Sequence, residues 1–218
     1  MDLAQIRLVV FDVDGVLVPI KSSWEYVHRK LGTTDIARRN YELFSKGLIG
    51  YWEWMYLDTL AWIEAKPGIT VWDLERILSD VDVLPEAYCA VKLLRRNGIE
   101  LALISGGLDL LVSKVASRLN IKYWFSPRLA FDPWGKLVPG GYPEVEADRK
   151  DKVIRLLGSV LGIPLRNIAF IGDSRWDARA MKEVGLAIAV NTTDPYIINI
   201  ADAVAEDVCE AAKIILKY

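Results

Sequence analysis

Apolar residues fall along this chain in two alternating rhythms. Ile6–Phe11, Glu100–Ile104, Ile168–Ile171 and Leu186–Val190 are short, nearly continuous apolar runs rich in β-branched residues. Such runs predict strands buried on both faces. Between them lie stretches with apolar residues three and four apart, which predict helices over Pro85–Arg96, Leu108–Leu119, Lys150–Leu161, Trp176–Val184 and Asp207–Leu216. Repeated strand–helix units predict an α/β fold with a doubly wound, Rossmann-like parallel sheet. Tyr123–Phe131 and Lys136–Val138 flank Asp132-Pro-Trp-Gly135, predicting a short β-excursion with a turn.

Ser22–Leu78 breaks this rhythm. It is helical in pattern, holds five of the eight tryptophans (Trp24, Trp52, Trp54, Trp62 and Trp72) and contains no convincing strand. Ser22-Ser-Trp-Glu25 predicts a capped helix start, with the helix ending at Gly32. Further helices fit Thr34–Lys46, Tyr51–Ala65 and Thr70–Asp80, with Pro67-Gly68 as a break. The expected division is a catalytic core of residues 1–15 and 85–218, with a small helical cap of residues 16–84 inserted after the first strand. Most of the cap tryptophans are expected to fill its core, with one or two rings left for a ligand pocket.

Composition narrows the function classes. The 218 residues are 52% hydrophobic and 26% charged with a net charge of -2, which favours neither disorder nor a nucleic-acid surface. No apolar run is long enough to span a bilayer, and Met1–Gln5 lacks the start of a signal peptide, so a cytoplasmic protein is expected. Cys89 and Cys209 sit among apolar helical neighbours and are expected to be buried free thiols. His28, the only histidine, belongs to a predicted cap helix. With no Gly-x-Ser-x-Gly elbow, a serine-hydrolase triad finds no support.

The candidate chemistry lies at the strand ends. Asp12 and Asp14 close the first strand, where two carboxylates are costly in a core unless a metal or phosphate site balances them. Ser105-Gly-Gly107 follows the second strand and precedes a helix, as a phosphate cradle requires. Lys150 opens a helix, with Lys152 two positions on as the alternative. Asp173 follows Ile168–Ile171, and Asp177 comes four residues later. Each motif alone has an ordinary reading as a turn, a cap or a solvated face. The four in this order make coincidence the weaker explanation.

These residues resemble the haloacid dehalogenase-like hydrolase superfamily, and within it the phosphoserine phosphatases. The resemblance implies that Asp12 is the nucleophile and Asp14 the general acid/base. It also implies that Ser105, Gly106 and Lys150 bind phosphate. Mg²⁺ would be held by Asp12, the Asp14 backbone carbonyl and Asp173, with Asp177 orienting a metal-bound water or the Asp173 carboxylate. The implied activity is Mg²⁺-dependent hydrolysis of a small phosphorylated metabolite through an aspartyl-phosphate, by a monomer or homodimer that binds neither nucleic acid nor membrane. The alternatives are a phosphotransferase or a phospho-accepting signalling or binding protein on the same fold. Three positions depart from the family pattern. Pro19-Ile-Lys21 lacks the acidic residue that grips the substrate amine, Trp54–Asp58 lacks the arginine that grips its carboxylate, and Trp176 replaces an asparagine. The resemblance therefore implies the chemistry without implying phosphoserine.

Overall fold

The computed structural model describes residues 5–218. Six strands form one parallel sheet: β1 (Leu8–Phe11), β2 (Glu100–Ile104), β3 (Tyr123–Phe125), β6 (Ile168–Gly172), β7 (Leu186–Val190) and β8 (Ala203–Ala205). Their spatial order is β3-β2-β1-β6-β7-β8. Successive strand residues point to opposite faces, so each apolar run feeds two cores. Val9, Phe11, Leu101, Leu103 and Ile188 pack on α5 (Pro85–Arg96), α6 (Asp109–Leu119) and α10 (Val208–Ile215). Leu8, Val10, Ala102, Ile104 and Phe170 pack on α7 (Lys150–Leu161), α8 (Ala178–Met181) and α9 (Pro195–Ile200).

Between β1 and α5 run four helices: α1 (Ser23–Leu31), α2 (Thr34–Ser45), α3 (Tyr51–Ala65) and α4 (Val71–Leu78). Ser22 caps α1 by accepting the Glu25 N–H, and Gly32 ends it in the left-handed conformation that glycine adopts without strain. Val27, Trp62, Ile69, Leu74 and Leu78 join the same apolar cluster as Leu111 and Val115 of α6, so these helices share a core with one face of the sheet.

The β-excursion differs from its expected form. Tyr123–Phe131 divides in two, with β3 becoming the edge of the main sheet. Only β4 (Arg128–Phe131) pairs with β5 (Leu137–Tyr142) in an antiparallel hairpin. Ser126-Pro127, between β3 and β4, supplies the break. This hairpin packs on α3: Gly140 N–H donates to Thr59 Oγ1 at 2.7 Å, and Trp52 Nε1 donates to the Gly141 carbonyl at 3.1 Å. The helix expected over Trp176–Val184 shortens to a 3₁₀ turn at Arg175–Asp177 followed by α8. Helix α9 and strand β8, too short to produce a clear period, were not expected.

The cysteines are not free. Cys89 of α5 and Cys209 of α10 form a disulfide across 120 residues of chain. Both helices cover the same face of the sheet, a proximity that sequence separation could not reveal. Among the described residues, no helix is long and apolar enough to cross a membrane.

Candidate active site

The strand order places the carboxyl ends of β2, β1, β6 and β7 side by side. In open α/β sheets, this end at a reversal of strand order is where ligands bind. Asp12 and Asp14 follow β1, Ser105 follows β2, Asp173 follows β6 and Asn191 follows β7. Asp12, Asp14, Ser105, Gly106, Lys150 and Asp173 all line one cavity of about 110 Å³. Asp177 lies behind them, fully buried.

Lys150, only 2% exposed, is the hub of the charged network. Its Nζ lies 2.8 Å from Asp12 Oδ2 and 2.6 Å from Asp177 Oδ1. Burial opposes its charge, but the two carboxylates outweigh that and hold the ammonium above its ordinary pKa. Lys152 is exposed and pairs with Glu146 at 3.0 Å, away from the cavity. Asp177 Oδ2 accepts the backbone N–H of Asp173 at 3.0 Å and of Ser174 at 3.1 Å. It therefore holds Lys150 and the turn after β6.

The first two aspartates have different surroundings. Burial pushes the Asp12 carboxyl up to about 7, against the pull of Lys150. Burial also raises Asp14, opposed by donors from Ser23. Asp14 Oδ2 accepts from Ser23 N at 2.6 Å and Ser23 Oγ at 2.7 Å, while its Oδ1 is buried with no protein partner. Ser23 Oγ in turn accepts the Leu108 N–H at 2.8 Å. Asp173, pushed by burial to about 6, accepts from Lys21 Nζ at 2.6 Å. Lys21 also donates to the Asn191 carbonyl, and Asn191 Nδ2 donates to the Gly15 carbonyl. Gly15 has a φ of +77°, and a Cβ there would run into the Asp173 carboxylate.

Ser105 Oγ accepts the Gly107 N–H at 3.1 Å, which shapes the turn into α6. A Cβ on Gly106 would lie 2.6 Å from that of Ala147, and one on Gly107 2.7 Å from Asp14 Oδ2, so both glycines are required by close packing. The Gly106 carbonyl accepts from Trp24 Nε1 at 3.0 Å, tying this loop to α1.

The donor set fits a hard dication. Asp12, Asp173 and Asp177 are buried and bring oxygens within 4.8 Å of one another; those of Asp177 already serve Lys150 and the turn after β6, which leaves Asp12 and Asp173 as the donors. All-oxygen carboxylate sets suit Mg²⁺.

The inserted helices contribute residues that motif reading did not reach: Ser23, Tyr51, Met55 and Asp58 complete the cavity or hold its carboxylates, with Trp24 and Trp54 beside them. Ser23 was visible only as half of a helix start. Asp58 is one of several polar residues of α3, with Glu53, Thr59 and Glu64, and nothing in their spacing singles it out.

The family model for haloacid dehalogenase-like hydrolases matches residues 6–185. A phosphoserine phosphatase of Archaeoglobus fulgidus is 27% identical over 191 residues, covering 86% of this chain and 53% of the relative. One from Methanocaldococcus jannaschii is 25% identical over 184 residues, covering 84% of each. This chain thus spans about half the length of the first relative and most of the second. A solved structure described as a phospho-aspartyl intermediate analogue of phosphoserine phosphatase superposes with a TM-score of 0.78 at 23% identity, covering 98% of this chain and 99% of that one. These matches lead to one conclusion: the chain belongs to the haloacid dehalogenase-like hydrolase family and within it resembles the phosphoserine phosphatases.

Proposed function

We propose that this protein is a Mg²⁺-dependent phosphatase that hydrolyses a small phosphate monoester through an aspartyl-phosphate on Asp12. The observation that carries the reading is the different surroundings of two neighbouring carboxyls in one small cavity. Asp12 Oδ2 lies 2.8 Å from the buried Lys150 ammonium, while Asp14 is held by Ser23 through Oδ2 and keeps Oδ1 without a protein partner. A carboxyl set against a cation suits the nucleophile, and one with a free oxygen suits the proton carrier.

In the first step an Asp12 oxygen attacks phosphorus, and the bond from phosphorus to the ester oxygen breaks. Asp14 gives its proton, placed on the unpartnered Oδ1, to that leaving oxygen. Water then attacks the aspartyl-phosphate, Asp14 takes the water's proton, and Asp12 is released with inorganic phosphate. Lys150, the Ser105 hydroxyl and the Gly106 N–H neutralise the phosphoryl oxygens, the main electrostatic need of such a transfer. Asp177 keeps Lys150 in place.

Asp12, Asp173 and the Asp14 backbone carbonyl would hold the Mg²⁺, which when bound supplies positive charge to the phosphoryl group. Residues 16–84 act as the cap, closing the cavity and excluding bulk water. Residues 1–15 and 85–218 form the catalytic core.

The cavity is well below the roughly 300–1,000 Å³ of drug-sized sites, so the substrate is small. The test is phosphate release from a panel of small esters, phosphoserine included, with Mg²⁺ or with EDTA. Metal-dependent release by the wild type and none by Asp12→Asn is the expected result. Release that persists in the variant would remove Asp12 as nucleophile. A stable aspartyl-phosphate without turnover would favour a signalling protein.

A further inference from the structure

The cavity wall facing away from the strand ends is chemically unlike the phosphate end. Trp24 of α1, Tyr51, Trp54 and Met55 of α3, and Trp176 after β6 line it, and with them stands a single carboxylate, Asp58. The rings are held by one another. Trp54 stacks on Phe44 at 4.6 Å between centroids, Tyr51 meets Trp54 edge-on at 5.8 Å, and Trp176 lies 6.1 Å from Trp54.

Asp58 is 3% exposed. Its Oδ1 accepts from Asn40 Nδ2 at 2.8 Å, and its Oδ2 lies 3.5 Å from His28 Nε2. His28 Nδ1 faces Thr33 Oγ1 at 2.8 Å, and its ring meets Trp62 edge-on. Among the described residues no lysine or arginine pairs with Asp58. The cavity's two lysines are engaged elsewhere, Lys150 with Asp12 and Asp177, and Lys21 with Asp173 and the Asn191 carbonyl.

A buried carboxylate among aromatic faces suits an organic cation. The ring quadrupoles attract a poorly hydrated ammonium, and the carboxylate supplies the full countercharge. We infer that this wall binds the leaving group of the substrate, and that this group is a small alkylammonium carrying no carboxylate of its own. A neutral ring would gain from the aromatic wall but leave Asp58 with no cation beyond the 3.5 Å approach of His28, and a carboxylate-bearing group would meet Asp58 as a like charge. The inference rests on the phosphatase reading for the word substrate; the cation site itself does not.

Two measurements separate those two dependences. The first is turnover of matched esters: 2-(trimethylammonio)ethyl phosphate, 2-aminoethyl phosphate, the uncharged 3,3-dimethylbutyl phosphate, phenyl phosphate and phosphoserine. At least one ammonium ester is expected to exceed the uncharged isostere about tenfold or more in kcat/KM. That ratio should collapse towards one in Asp58→Asn, a near-isosteric change whose folding is checked by its thermal midpoint. The second is binding of choline and ethanolamine, followed by tryptophan fluorescence and calorimetry, against uncharged 3,3-dimethylbutan-1-ol. Ammonium binding that Asp58→Asn weakens would support the site even if every ester failed, in which case only the phosphatase reading falls. A preference for the uncharged, phenyl or phosphoserine ester would overturn the inference, as would ammonium binding indifferent to Asp58→Asn. Should Asp58→Asn fail to fold, Trp176→Leu, in the short turn after β6 and outside α3, must lower the ammonium preference in its stead, and an unchanged ratio counts against the site.

Discussion

The strand ends and the inserted helices build one cavity by different rules. At the strand ends each functional group is fixed by backbone topology: a residue that follows β1, β2 or β6 must arrive at the same edge. In the helices, position follows from side-chain packing. Asp58 reaches the cavity because α3 is wedged between the β4–β5 hairpin and α1, and Trp54 because Phe44 backs it. Chemistry set by topology tolerates little change, whereas a wall set by packing can be rebuilt to accept another leaving group.

The widest contrast should come from Asp12→Asn. Phosphate release is expected to fall by on the order of 10⁴-fold or more with the far-ultraviolet spectrum unchanged. Retained release would mean that the strand-end half does not hold the nucleophile. Lys150 and Lys152 sharpen the same point within a single helix. Lys150→Met leaves Asp12 and Asp177 buried without their cation and should cost about 3–5 kcal/mol in urea unfolding, with activity lost. Lys152→Ala should stay within about 0.5 kcal/mol and keep its turnover, since that side chain is exposed.

The disulfide belongs wholly to the core side. Cys89→Ser should lower unfolding free energy by about 2–5 kcal/mol without altering the ranking of esters. A changed ranking would mean that α5 and α10 reach the helical wall.

The smallest effect concerns pH. Asp109, at the start of α6, accepts the Leu129 N–H and is pushed by burial up to about 6. The folded state then holds its proton more tightly than the unfolded chain, so stability falls as pH rises from about 4 to about 6. Asp12, Asp14 and Asp173, also raised, act in the same direction. Asp109→Asn should therefore flatten only part of the slope of thermal midpoint against pH, and an unchanged slope would remove Asp109 from the set.

What the sequence disclosed follows the same division. Helix α3 was bounded at Tyr51 and Ala65, and the core strands were found within two residues, because burial on both faces leaves an unbroken apolar run. Asp12, Ser105 and Asp173 are legible because an apolar run locates a strand end, whereas the start of α7 offers Lys150 and Lys152 alike and only burial separates them. Ser23, Asp58 and the Cys89–Cys209 pair are not legible, because each depends on which helix lies against which. The division after Phe125 leaves no mark in the sequence pattern, because a continuous β-like run can belong to two sheets.

The contacts of Ser23 make the first turn of α1 an interlock. One hydroxyl accepts from the α6 N-terminus and donates to Asp14, while the neighbouring Trp24 holds the carbonyl of Gly106. A displacement of α1 would strip Asp14 of both Ser23 donors and free the Gly106 loop in the same movement. On the proposed reading, with Asp14 as proton carrier, its readiness would then be conditional on α1 staying seated.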